Sequence, residues 1–173
     1  TAEDLFAEFR AIILDDVEAA FFTQEQMNLI ERFVSERGGA VMMLGGQESF
    51  RNGGYANTPI GRMLPVYLDQ ASTAPAIANA RFNLTREGWL ESWMRLRTNR
   101  EDDEGRLALM SAFYSVNPAF SIKPGASILA TVSDEQNSYP AVTVQRFGEG
   151  RVGSMLIGDL WRWGLKDEEA HKD

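Results

Sequence analysis

Cysteine is absent from this 173-residue chain, and histidine occurs once, as His171 two residues from the end. Without cysteine there is no disulfide framework, no thiolate-ligated metal and no thiol nucleophile. One histidine cannot assemble a multi-histidine zinc site. Basic residues are also scarce, with 17 Lys+Arg against 25 Asp+Glu and a net charge of −8. That balance argues against nucleic acid, because phosphate neutralisation needs a basic face. No apolar run reaches the roughly 20 residues that span a bilayer, and the N-terminus is not signal-like. No cofactor motif and no metal-ligand spacing stands out. Ten Phe, four Trp and a 44% hydrophobic fraction nevertheless suffice for a packed core. No repeat or linker divides the chain, which reads as one acidic globular α/β domain.

The order begins with a βαβ unit. Phe9 to Leu14 (FRAIIL) is a short apolar run that predicts a buried strand. Thr23-Gln24-Glu25-Gln26 has capping-box spacing, Met27, Ile30, Phe33 and Val34 recur at helical intervals, and Gly38-Gly39 offers a left-handed stop. Ala40 to Leu44 (AVMML) predicts a second strand, parallel to the first because a helical crossover joins them. Thr58-Pro59 predicts the start of a short helix through Met63. Pro65–Leu68 and Phe82–Thr85 predict short strands, Trp89, Trp93 and Leu96 share helical spacing, and Leu107–Phe113 predicts a further helix. The acidic run Arg100–Glu104 reads as a solvated turn without EF-hand spacing. Near the end, Ala126–Val132, Ala141–Phe147 and Arg151–Ile157 predict strands, and Gly148-Glu149-Gly150 joins the last two as an antiparallel hairpin. The expected sheet is therefore mixed, mostly parallel, and antiparallel at its end.

Candidate chemistry gathers at three places. The loop Gly45, Gly46, Gln47, Glu48, Ser49, Phe50, Arg51, Asn52, Gly53, Gly54, Tyr55 leaves the carboxyl end of a parallel strand, where open α/β sheets bind ligands. Its glycines would let backbone N–H groups approach an anion or a carbonyl oxygen. It matches neither a Walker A loop nor G-x-G-x-x-G, and the competing reading is a turn with Phe50 and Tyr55 packed on the core. Ser49 lacks nucleophile-elbow context, and His171 would have to fold back to serve it. Asp15 and Asp16 end the first strand as metal or acid–base candidates, or simply as loop caps. Asp159, Trp161 and Arg162 follow the last strand; Trp161 and Trp163 would share a face if the chain stays extended, with at least one of them in the core. Arg51, Arg162 and the loop N–H groups suggest a small anionic or carbonyl-bearing ligand, or an acidic side chain of a partner. Asn83-Leu84-Thr85 matches a glycosylation sequon, a triplet that recurs by chance.

Taken together, Ala11–Val66, KPGASILA at Lys123–Ala130, RFGEGRV at Arg146–Val152 and DLWRW at Asp159–Trp163 resemble the glutamine amidotransferase-like family, a branch of the class I glutamine amidotransferase-like superfamily. The resemblance covers roughly two-thirds of the chain. It implies a flavodoxin-like three-layer sandwich, with helices on both faces of the sheet. It also implies that Gly45 stands where that superfamily carries its nucleophilic Cys, and that Gly158–Trp163 stands where the His and Glu would be. A chain with no Cys cannot run that chemistry. The expectation is a domain without catalytic residues, used for binding or assembly, and partnered by other domains of a longer chain or by another protein. By the same resemblance the chain is expected to be cut at both ends, and longer relatives to carry membrane segments. The alternative is a hydrolase or transferase of another mechanism that uses Asp15, Asp16 and the 45–55 loop.

Overall fold

A computed structural model describes residues 7–70, 77, 79–119, 121–158, 160, 161 and 163. The first strand, β1 (Ala11–Asp15), leads through a 3-10 turn at Ala19–Phe21 into helix α1 (Gln24–Ser35). Thr23 caps that helix as its spacing requires. Its hydroxyl accepts from the Gln26 N–H at 3.2 Å, and the Gln26 side chain accepts from the Thr23 N–H at 2.8 Å. Met27, Ile30, Phe33 and Val34 are the helix's buried stripe, which faces β2 (Ala40–Leu44) and β6 (Gly150–Met155). Next come the short helix α2 (Pro59–Met63), capped by Thr58, and β3 (Arg81–Leu84). Helix α3 (Arg86–Leu90) packs on β4 (Ser127–Ser133), and helix α4 (Arg100–Leu109) lies against β3. Strand β5 (Ser138–Phe147) completes the sheet.

The six strands run in the order β1-β2-β6-β5-β4-β3. β1 pairs with β2 and β2 with β6 in parallel, so the βαβ unit forms as expected. The other three pairings, β6–β5, β5–β4 and β4–β3, are antiparallel. The sheet is thus mixed but mostly antiparallel, which corrects the mostly parallel expectation. Among the described elements only β1–α1–β2 joins consecutive parallel strands through a helix, and β4, β5 and β6 follow one another as a meander, which can only alternate in direction. The β5–β6 hairpin turns at Gly148, whose φ of +58° is the left-handed conformation the joint needs.

Other expectations change as well. β1 is an edge strand rather than a fully buried one: Leu14 is buried, but Ile13 is 65% exposed. Pro65–Leu68 contributes a single bridge, Val66 to Ile122, not a strand. The tryptophan stripe splits into α3 and a 3-10 turn at Ser92–Met94. The acidic run is not a turn but the first part of α4. Asn99 caps it through the Asp102 N–H at 2.8 Å, and the carboxylates complement the positive end of the helix dipole. Asp103 within it is buried, accepting from the Leu96 and Arg97 N–H groups at 2.7 Å each. The helix ends at Leu109, before the expected Phe113.

Candidate functional site

The carboxyl ends of the parallel strands β1, β2 and β6 open on one cleft of about 670 Å³. Asp15 and Asp16 reach it from the end of β1, Gly45, Gly46, Gln47 and Asn52 from the loop after β2, and Gly158 and Trp161 from the segment after β6. Its remaining wall is Ser115 to Pro118. Sequence patterning gave no sign of that wall. The segment has no periodicity, and it is placed by two long-range links: the Val116–Ile157 bridge and the Asn117 N–H donating to the Leu156 carbonyl at 2.7 Å.

The wall and the glycine loop are locked together. Asn117 is buried, and its Nδ2 donates to the Gly46 carbonyl at 2.9 Å. Gly45 fits only because it has no side chain: a Cβ there would lie 2.6 Å from Asn117 Oδ1 and 2.7 Å from the Ile157 carbonyl oxygen. A Cβ on Gly46 would lie 2.1 Å from Asp16 Oδ1. Asp16 adopts φ +49°, and its Oδ1 accepts from the Glu48 N–H at 2.7 Å, so one of the two candidate carboxylates is a loop latch.

The rest of the loop turns away from the cleft. Ser49 is buried, its carbonyl accepting from the Gly53 N–H at 3.1 Å, and the Gly53 carbonyl in turn accepts from the Ala19 N–H at 2.7 Å. Gly54 donates its N–H to the Arg51 carbonyl at 3.0 Å. Arg51 is exposed and does not line the cleft. Tyr55 and Phe50 are fully buried, so this half of the loop is a packed turn rather than a ligand cradle. The Tyr55 hydroxyl donates to the Val17 carbonyl at 2.6 Å, and burial pushes its pKa up to about 12.

After β6 the backbone does not stay extended. The Trp163 N–H donates to the Leu160 carbonyl at 3.0 Å, and the two tryptophans part company. Trp163 packs edge-on against Phe82 at 5.2 Å and beside Phe113 at 5.1 Å, with its Nε1 donating to the Ser111 carbonyl at 2.9 Å. Trp161 lines the cleft and is 52% exposed. Asp159 and Arg162 lie outside the described residues. Among the described residues no group of three or more metal-ligating side chains gathers, and no helix is long and apolar enough to cross a membrane.

No protein-family model and no curated protein matches the chain. Solved structures do share its fold. Cytoplasmic protein STM3548 from Salmonella typhimurium matches with a TM-score of 0.64 at 16% identity, over 90% of this chain and 63% of its own length. Cytoplasmic protein STM1381 from Salmonella typhimurium LT2 matches at 0.65 and 20% identity, over 99% and 71%. An exo-β-1,4-mannosidase, Op5Man5, from Opitutaceae bacterium strain TAV5 matches at 0.54 and 17% identity, over 96% of this chain but 24% of its own. Likeness at these identities concerns the fold alone.

Proposed function

We propose that this chain is a non-catalytic binding or assembly domain on a glutamine amidotransferase-like, flavodoxin-like three-layer frame, and that it works as one part of a longer protein. Its functional surface is the cleft at the carboxyl ends of β1, β2 and β6, the location expected of ligand sites in open α/β sheets. Gly45 carries this reading. It occupies the turn after β2, where the resemblance puts the nucleophilic Cys, and Asn117 and Ile157 fill the space a side chain would need. The match to about a quarter of a mannosidase is in keeping with such a fold serving as a segment of a larger chain.

Two measurements test the proposal. Incubation with glutamine releases no ammonia above the buffer rate; enzyme-dependent release would refute the non-catalytic reading. A thermal-shift screen against sugars, carboxylates and amines gives at least one stabilising ligand, and its effect weakens when Trp161 is replaced by Ala. No response to any compound would refute the binding reading of the cleft.

A further inference from the structure

We infer that the cleft takes a neutral, polyhydroxylated ligand of about monosaccharide size, rather than the small anion that Arg51 and the loop N–H groups suggested; the inference rests on reading the cleft as a binding site. Its volume of about 670 Å³ falls within the range of small-ligand sites, about 300–1,000 Å³. The charged groups among its described lining are Asp15 and Asp16, both acidic, and Arg51 is not part of that lining. An anion seated there would face two carboxylates with no cation of the described lining to offset them, a repulsion that grows as water is excluded.

A hydroxyl-rich ligand meets the same lining without that cost. An ionised carboxylate only accepts hydrogen bonds, whereas an amide both donates and accepts. A hydroxyl group does both too, so neighbouring hydroxyls of one ring can donate to Asp15 while accepting from the Gln47 or Asn52 amide. Asp16 and Asn117 hold this arrangement in place before any ligand arrives: the first is fixed on the Glu48 N–H, the second between the Leu156 and Gly46 carbonyls. Trp161 adds the apolar element. It lines the cleft and is half-exposed, and an indole ring suits the C–H face of a sugar ring, which anions and simple amines lack.

The test is a titration of the full 173-residue chain followed by 1H–15N NMR. Glucose, galactose and mannose form the sugar arm, succinate the anion arm and putrescine the cation arm, each taken to about 50 mM so that a millimolar Kd registers. The expected result is saturable shifts of the Gly45, Gly46 and Gln47 amides and the Trp161 indole N–H with at least one hexose. Trp161→Ala should weaken that binding by roughly two- to tenfold, and Asp15→Asn, at an exposed position that leaves the fold intact, should weaken it as well. Saturation by succinate or putrescine with no response to any hexose would overturn the ligand class while leaving the cleft a binding site. Silence in all three arms would overturn both. Hexose shifts confined to residues away from the cleft, or unaffected by both substitutions, would overturn the inference.

Discussion

Gly45 sits in contact with two other parts of the chain at once, and both contacts are with oxygen atoms held by the fold. Introducing a cysteine there is therefore not a one-residue route to a thiol enzyme. The new Cβ would press on Asn117 Oδ1 and the Ile157 carbonyl at 2.6 and 2.7 Å. Gly45→Cys should lower the unfolding free energy by about 1–3 kcal/mol in urea titrations, the usual cost of overpacking. Glutamine hydrolysis should stay at background; full stability together with ammonia release would contradict the packing argument. Tyr55 allows a second test at this scale. Its hydroxyl is buried on the Val17 carbonyl and its pKa is raised from 10.0 to about 12, so the folded state holds the proton more tightly than the unfolded chain. The stability this gives is fully present below pH 10 and is lost as pH rises toward about 12, by on the order of 2 kcal/mol. Lys123 works in the opposite sense. Burial lowers its pKa from 10.5, so in the window just below that value the unfolded chain binds the extra proton and stability rises with pH. Comparing alkaline unfolding curves of the native chain and Tyr55→Phe isolates the tyrosine, and the variant should show the shallower loss above pH 10.

At the level of elements, α4 shows how a charged run can form a helix rather than a turn. Its first turn holds Glu101, Asp102 and Asp103, a composition that reads as solvated when only hydrophobic spacing is weighed. Two things make it helical: the Asn99 cap with its matching dipole, and a role for Asp103 outside the helix, where it latches the Leu96 and Arg97 N–H groups. Removing the latch with Asp103→Ala should cost about 2–3 kcal/mol, because two charge-assisted bonds in a buried site are lost. Asp103→Asn keeps one acceptor oxygen and should cost clearly less; equal losses would mean that packing, not hydrogen bonding, sets the value. The elements that were legible share one property, in that their determinants are local. The Thr23 capping box, the Thr58-Pro59 start and the Gly148 hairpin each lie within a few residues of the structure they fix. The elements that were not legible depend on distant partners. The direction of β4 is set by its pairing with β3 and β5, and the wall at Ser115–Pro118 by a bridge to Ile157. The candidate site divides the same way. Asp15, Asp16, Gly45, Gly46, Gln47 and Asn52 converge because the ends of β1 and β2 converge, which the βαβ pattern implied, whereas Trp161 joins them through the parallel pairing of β6 with β2, which no local pattern carried. Ser49 and Tyr55 were swept along by their position in the glycine loop, although their side chains belong to the core.

Across the whole molecule, the sheet has one edge whose two faces differ sharply. Ile13 of β1, Met42 of β2, Gly153 of β6 and Val144 of β5 lie in register as one cross-strand row. The row lines a shallow apolar groove with Trp93, and both Ile13, at 65%, and Trp93, at 52%, are exposed. Leu14, one residue further along β1, points the other way and is 6% exposed within the core. Because strand side chains alternate with period two, neighbouring residues of this edge should respond to substitution in opposite ways. Leu14→Ala should cost about 2–5 kcal/mol, the range for emptying a buried leucine site. Ile13→Lys should change stability by less than about 0.5 kcal/mol, as surface substitutions do. It should also delay heat-induced aggregation, since a lysine on an exposed edge strand discourages pairing with another chain. The net charge of −8 already keeps molecules apart at low salt, so the difference between native chain and Ile13→Lys should widen as added salt screens that repulsion. Light scattering during a thermal ramp at low and high salt reads the aggregation, and urea titration reads the two stabilities. If Ile13→Lys proves as damaging as Leu14→Ala, β1 is shifted by one residue from the register that pairs Ile13 with Met42.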